Sequence, residues 1–328
     1  MKIAIIGAGA IGGWIGVKLA HAGHDVSVIA RGETLTALRS NGLTLIANDE
    51  RVSANVNVNV YATEHAADIG AVDLVVIAVK APALSSIAAM IAPLIAAHTI
   101  VLTAMNGVPW WFFARSDRPL AQLKLESIDT TGEIGAAIPS KHIIGCVVHA
   151  ACSVDAPAVI RHRMGNRLII GEPAGGASAR LTQLQTVLVN AGFDTPASDD
   201  IQRDIWFKLW GNMTMNPVSA ITGATGDKIL GDPLVRSFCT AVMIEAKAIG
   251  AQIGIDISDA PEERHAVTAK LGAFKTSMLQ DMESGRAIEL DALVSAVREI
   301  GGRVGIATPN IDALLGLTRL MAQQRGLY

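Results

Sequence analysis

The 328-residue chain is half hydrophobic and only 17% charged, a composition that buries a large core, excludes an intrinsically disordered chain and, at this length, suits two domains. Its net charge of -3 comes without any Lys/Arg-rich run, which argues against a nucleic-acid partner. The longest apolar stretch, around Ile87 to Ala97, contains Pro93 and falls short of the roughly 20 residues of a membrane span; with no signal-peptide pattern after Met1, a soluble, cytoplasmic protein without a membrane partner is expected.

Residues 2–6 are a β-branched run that ends in Gly7-Ala8-Gly9-Ala10-Ile11-Gly12, and from Ile11 to Ala22 apolar residues recur at helical spacing until Gly23 stops them. With a second strand at Asp25–Ala30, this makes one βαβ unit. In such a unit Gly7 allows the tight turn, Gly9 lets the backbone approach a pyrophosphate, and Gly12 lets the helix pack near the sheet. The orphan N–H groups at the helix start attract negative charge. Gly7, Ala8, Gly9, Ala10, Ile11 and Gly12 are therefore the candidate dinucleotide turn. At the end of the second strand an acid would select NAD through its ribose hydroxyl, whereas a cation selects NADP through its 2′-phosphate. Arg31 stands there, so NADP is the expected cofactor, with nearby Glu33 as the counter-signal.

Further apolar strands follow at Leu74–Val79, with Lys80 at its end, and at Ile100–Ala104. Strands apolar on both faces and spaced by helices predict a parallel sheet covered on both sides, and Lys80 is expected on the same nucleotide edge as Arg31. Two short β-type runs, Cys146–His149 and Arg167–Ile170, are expected to extend the sheet as antiparallel strands, and Pro173–Ala179 reads as a loop. Cys146, Cys152 and Cys239 lack the close spacing of a metal site and are expected to be reduced thiols in packing roles, with no metal bound. After Asp199-Asp200 the pattern turns helical, with periodic segments at 201–215, 233–253, 262–283 and 288–301. The expected fold is an α/β, Rossmann-type dinucleotide-binding domain over residues 1–198 followed by an all-α domain over residues 199–328, with the active site in the cleft between them.

In the first of these segments Lys208, Asn212 and Asn216 recur every four residues among apolar and aromatic neighbours, just before Pro217. That spacing stacks them on one helix face. Either the lysine is held in an apolar setting to meet an acid or a substrate, or it snorkels beside two core or capping amides, with Asn216 ending the helix. Ser277 and Glu289 form a second polar pair. Glu289 shares the stripe of Leu293 and Ile300, and Lys208, Arg286 or Arg298 would each serve as its partner.

Taken in order, Gly7–Gly12, Arg31, Val79-Lys80, Asn106-Gly107, Lys208 through Asn216-Pro217, and Ser277-Met278-Leu279-Gln280-Asp281 followed by Glu289 make nearly the whole chain resemble the ketopantoate reductase family. The resemblance implies an NADP-dependent oxidoreductase acting on a CH–OH group, which reduces 2-dehydropantoate to pantoate with NADPH in pantothenate biosynthesis, on the route to coenzyme A. It also implies site roles. Arg31 and Lys80 would contact the adenosine phosphate of NADPH, and Asn106 would lie beside the nicotinamide and substrate. Lys208 would be the catalytic acid, Asn212, Asn216 and Ser277 would bind the substrate's hydroxyl and carboxylate groups, and Glu289 would position and tune Lys208. The chemistry stands apart from the name: hydride reaching a ketone carbon leaves negative charge on oxygen, and a positioned ammonium stabilises and protonates it.

The chain departs from the family pattern at Val108-Pro109-Trp110-Trp111-Phe112-Phe113, bulky where a small turn is familiar, and in the long stretch Arg115–Lys141. These residues either close a pocket over an aromatic or larger 2-oxo acid or anchor the inserted loop. The alternatives are a paralogous NADP-dependent reductase of another branched or aromatic 2-oxo acid and a non-catalytic NADP-binding sensor, against which Lys208, Asn212, Ser277 and Glu289 together argue. The apolar helical half is compatible with a homodimer.

Overall fold

Aliphatic strands that are apolar on both faces need helices on both sides, and the N-terminal part of the chain builds such a sheet. The computed structural model describes residues 1–47, 50–54 and 60–328. It divides into two units, the first holding Met1–Val79, Ala83–Met105 and Gly132–Ile201, the second Lys80–Pro82, Asn106–Thr131 and Gln202–Tyr328. The main change of unit, at Ile201/Gln202, is close to the expected division at 198/199; two earlier stretches also cluster with the second unit.

In the first unit, strands β1 (Lys2–Ile6), β2 (Asp25–Ile29), β3 (Leu43–Ala47), β4 (Glu50–Ala54), β5 (Val60–Thr63), β6 (Leu74–Ile77), β7 (Ile100–Thr103), β8 (Ile143–Ala156), β9 (Val159–Gly171) and β10 (Ala197–Ser198) form one sheet. Its order is β4-β3-β9-β8-β7-β6-β1-β2-β5, with β10 beside β9. The run from β5 through β2, β1, β6 and β7 to β8 is parallel. Every residue of β6 and β7 is buried, as a sheet covered on both faces requires. Helices α1 (Ala10–His21), α2 (Gly32–Asn41), α3 (Leu84–Met90), α4 (Glu133–Ala137) and α5 (Ala179–Asn190) complete the unit.

The two runs expected as added antiparallel strands are the buried ends of a longer hairpin. β9 is antiparallel to β8, as expected, but β8 joins β7 in parallel. The outer half of the hairpin is irregular, with register shifts between His149 and Ala156 and much of it exposed. A twisted, half-solvated ribbon lacks the apolar runs that announce strands.

The second unit contains α6 (Ile201–Thr222), α7 (Gly226–Gly231), α8 (Pro233–Gln252), α9 (Pro261–Ala269), α10 (Ser277–Glu283), α11 (Ala296–Val304) and α12 (Pro309–Gln324). Three differences from the sequence expectation have physical causes. α6 runs through Pro217 to Thr222, with Asn216 buried inside it rather than ending it. The segment expected as one helix over 262–283 is broken after Ala269, with Gly272 at φ +66° and Thr276 capping a new helix by accepting from the Leu279 N–H. Glu289 precedes its helix, which opens as a π turn over Asp291–Ser295 before α11. Trp206 and Trp210 fill the core of this unit. Trp210 Nε1 donates to the Met243 carbonyl at 2.7 Å, and Phe112 lies tilted 5.9 Å from Trp206.

Candidate active site

The chain leaves β1 for β2 and β5 on one side and returns to β6 on the other, so the order of strands reverses between β1 and β6. In open parallel sheets that reversal leaves a crevice at the carboxyl ends of the strands, and here the glycine turn occupies it. Gly7 has φ +95°, and a Cβ on it would lie 2.8 Å from Val79 Cγ1 and 2.9 Å from the Ala78 carbonyl oxygen. A Cβ on Gly12 would lie 2.0 Å from the Gly7 carbonyl oxygen. Gly9 is exposed and has open space where its side chain would be; it is the N-cap of α1, and no side chain caps that helix start. Ala8, Ala10 and Ile11 are half-buried along the same turn. These features fit a pyrophosphate: open backbone, an uncapped helix N-terminus and no acid in the first turn of α1.

Arg31 lies just beyond β2 at the N-cap of α2, exposed, with Nη2 3.9 Å from Met90 Sδ. Glu33 stands in the first turn of α2, where the helix dipole favours an acid.

The second unit gathers the other charged candidates. Lys208, half-buried on α6, donates from Nζ to Asn106 Oδ1 at 2.8 Å. The Asn106 side-chain amide in turn donates to the Glu289 carboxyl group, which also accepts from the Ala81 N–H at 3.2 Å. Asn106 thus links Lys208 to Glu289. Burial of its carboxyl group raises the Glu289 pKa above the ordinary value. The Ala81 N–H, the Lys80 charge and the Asn106 amide oppose that rise, whereas Asp281 adds to it. Asn106 is held by its own neighbour. Gly107 has φ +80°, and a Cβ there would lie 2.4 Å from the Ala292 carbonyl oxygen, which accepts from the Val108 N–H at 2.8 Å.

Lys80, expected at the nucleotide phosphate, belongs to the second unit and forms an ion pair with the buried Asp281. Of the alternative partners for Glu289, Arg286 pairs with Asp281 and Arg298 with Asp312. Asp281, which pairs with both Lys80 and Arg286, is the charged partner that sequence reasoning passed over, although it stands in the very segment, Ser277–Asp281, that carried the resemblance. Asn212 is half-buried and Asn216 buried, one and two turns along α6 from Lys208. Ser277 is exposed as the first residue of α10.

Trp110, the first bulky aromatic after Gly107, is half-buried. Trp111, Phe112 and Phe113 are buried, Phe112 against Trp206 and edge-on to Phe113 at 5.3 Å. Further along, Glu299 accepts from the backbone N–H groups of Glu126 and Ser127, both at 2.9 Å.

A glycine-turn parallel sheet together with a lysine–amide–carboxyl cluster on a helical unit defines an oxidoreductase of the dinucleotide-binding class. Residues 3–175 match the ketopantoate reductase PanE/ApbA family and residues 200–322 its C-terminal counterpart. The chain belongs to the ketopantoate reductase family. It is 46% identical to a 2-dehydropantoate 2-reductase of Mesorhizobium japonicum, covering 100% of both chains. Among solved structures it resembles a ketopantoate reductase-like protein of Ralstonia solanacearum MolK2, with TM-score 0.96 and 56% identity over 100% of this chain and 99% of that one. It also resembles the 2-dehydropantoate 2-reductase of Geobacter metallireducens GS-15, with TM-score 0.85 and 26% identity over 98% and 100%. No helix among the described residues is long and apolar enough to cross a membrane.

Proposed function

We propose that the chain reduces the ketone of 2-dehydropantoate to the secondary alcohol of pantoate, with NADPH as hydride donor. The observation that carries this reading is the Lys208 ammonium held at 2.8 Å on Asn106, whose amide also engages Glu289. Gly7–Gly12 would hold the pyrophosphate, and the exposed Arg31 would meet the 2′-phosphate. Lys80 would serve the nucleotide from its place beside Asp281. The bound dinucleotide supplies the hydride. Lys208 stabilises the oxygen as it becomes negative and gives it a proton, and Asn106 fixes the direction of that ammonium. Glu289 holds Asn106 in turn. Asn212, Asn216 and Ser277 would take the substrate's hydroxyl and carboxylate groups.

Burial of Trp111, Phe112 and Phe113 as packing groups favours the branched substrate over an aromatic one. A cytoplasmic location, in keeping with cysteines that remain thiols, and a homodimer complete the reading.

A panel of branched and aromatic 2-oxo acids with NADPH tests the substrate; an aromatic acid turned over far better than 2-dehydropantoate would reject it. Lys208→Ala tests the chemistry. Turnover should fall roughly 100-fold or more with NADPH binding nearly intact, and normal turnover would remove Lys208 from the mechanism.

A further inference from the structure

Ser219 and Thr276 are hydroxyl residues at 0% and 4% exposure, and the chemistry above uses neither. Buried hydroxyls need partners, and theirs form a chain with a direction. Ser219 lies one turn beyond Asn216 in α6, and its Oγ donates to the Asn216 carbonyl at 2.9 Å. A hydroxyl has one proton, so toward Thr276 the Ser219 oxygen can only accept. The Ser219–Thr276 hydroxyl pair is closely hydrogen-bonded, and Thr276 must be its donor. With its proton committed, Thr276 Oγ1 still accepts from the Leu279 N–H at 3.2 Å, closing the first turn of α10. Every proton points the same way: from Leu279 to Thr276, from Thr276 to Ser219, from Ser219 to the Asn216 carbonyl. The turn of α6 so engaged contains Pro217, which has no N–H to give and so leaves the helix without the bond to the Met213 carbonyl one turn earlier.

We infer that Thr276 is a positioning residue: through Ser219 its hydroxyl fixes the start of α10, where Ser277 stands, against the turn of α6 that carries Asn216. Its effect on catalysis rests on the proposed roles of Ser277 and Asn216 toward the substrate; the linkage itself does not. A plain helix cap would steady α10 alone, whereas this chain couples two elements. Loss of the coupling need not unfold the segment, because the Phe274 carbonyl accepts from the Gly226 N–H at 2.9 Å and stays in place.

The test pairs hydrogen–deuterium exchange with kinetics. Ser219→Ala, made on α6, should speed amide exchange in residues 277–283 of α10; unchanged exchange there would refute the hydroxyl chain whatever the substrate. Thr276→Val should raise KM for the 2-oxo acid about tenfold, as for one to two kcal/mol of lost hydrogen bonding, while KM for the cofactor stays within about twofold. Thr276→Ser, which keeps the hydroxyl, should behave as the parent. If Ser277→Ala raises KM but Thr276→Val does not, the positioning role is refuted. If exchange changes as expected and neither Ser277→Ala nor Asn216→Ala moves KM, the substrate assignment fails and the linkage stands. Parallel rises in both KM values that Thr276→Ser does not reverse would reduce Thr276 to a structural cap.

Discussion

Gly107→Ala perturbs the Lys208–Asn106–Glu289 cluster without touching any of its functional groups. At φ +80° an L-residue costs about 1–2 kcal/mol. The new methyl group would also lie 2.4 Å from the Ala292 carbonyl oxygen and 2.6 Å from its carbon. Backbone cannot rotate aside as a side chain can, so the Asn106-Gly107 turn or the π turn must shift, at a further cost of about 1–3 kcal/mol. Destabilisation of about 2–5 kcal/mol is expected overall. Because Asn106 is the neighbour that moves, and in the proposed chemistry it directs Lys208, turnover should fall about 100-fold, the size of loss that a misplacement of about an ångström can cause. Gly305→Ala is the control. Its φ is +73° with nothing within 4 Å of the added carbon, so it carries the conformational strain alone and should leave turnover unchanged. Urea unfolding and the rate of reduced-nicotinamide oxidation read the two effects. If Gly107→Ala destabilises no more than Gly305→Ala and keeps turnover within about twofold, the contact with Ala292 does not hold Asn106 in place.

Two further outcomes follow from the charged groups. Arg31→Ala should weaken NADPH binding by about tenfold to a hundredfold and NADH far less; equal losses, measured by fluorescence titration, would remove the 2′-phosphate role. Glu289 has its pKa raised above the ordinary 4.5, first by burial. Its contribution to stability is therefore full below the unfolded-state value and is lost as pH rises through the folded-state value. The stability of Glu289→Gln relative to the parent should accordingly improve as pH rises from about 4 toward neutrality. A difference independent of pH, read from urea midpoints across that range, would mean that Glu289 is ionised equally in both states.

The first βαβ unit was legible because its signals are local: an apolar strand, a glycine turn demanded by φ and close approach, and a helix stopped by Gly23. The helix face of Lys208, Asn212 and Asn216 was legible for the same reason, since spacing alone aligns residues on one face. What remained hidden depends on tertiary partners. Nothing in a window around Glu289 selects Asn106 and Ala81 over Arg286 or Arg298, and nothing around Lys80 reveals Asp281, some 200 positions later. The break at Gly272 was readable in principle, a glycine followed by a threonine able to cap, but the apolar period on either side outweighed it. The persistence of α6 through Pro217 ran against the usual preference of the residue before a proline.

The two early stretches that cluster with the helical unit constrain how this chain can be cut or recombined. A fragment beginning at Ile201 would carry Lys208, Asp281 and Glu289 but neither Asn106, which joins two of them, nor Lys80, which pairs with the third. It would also lack Trp111, Phe112 and Phe113, leaving Trp206 uncovered where Phe112 now lies. Grafting this helical unit onto another nucleotide-binding scaffold would therefore mean transplanting three separate segments, and a single crossover point near residue 200 would yield a chimera with an incomplete core.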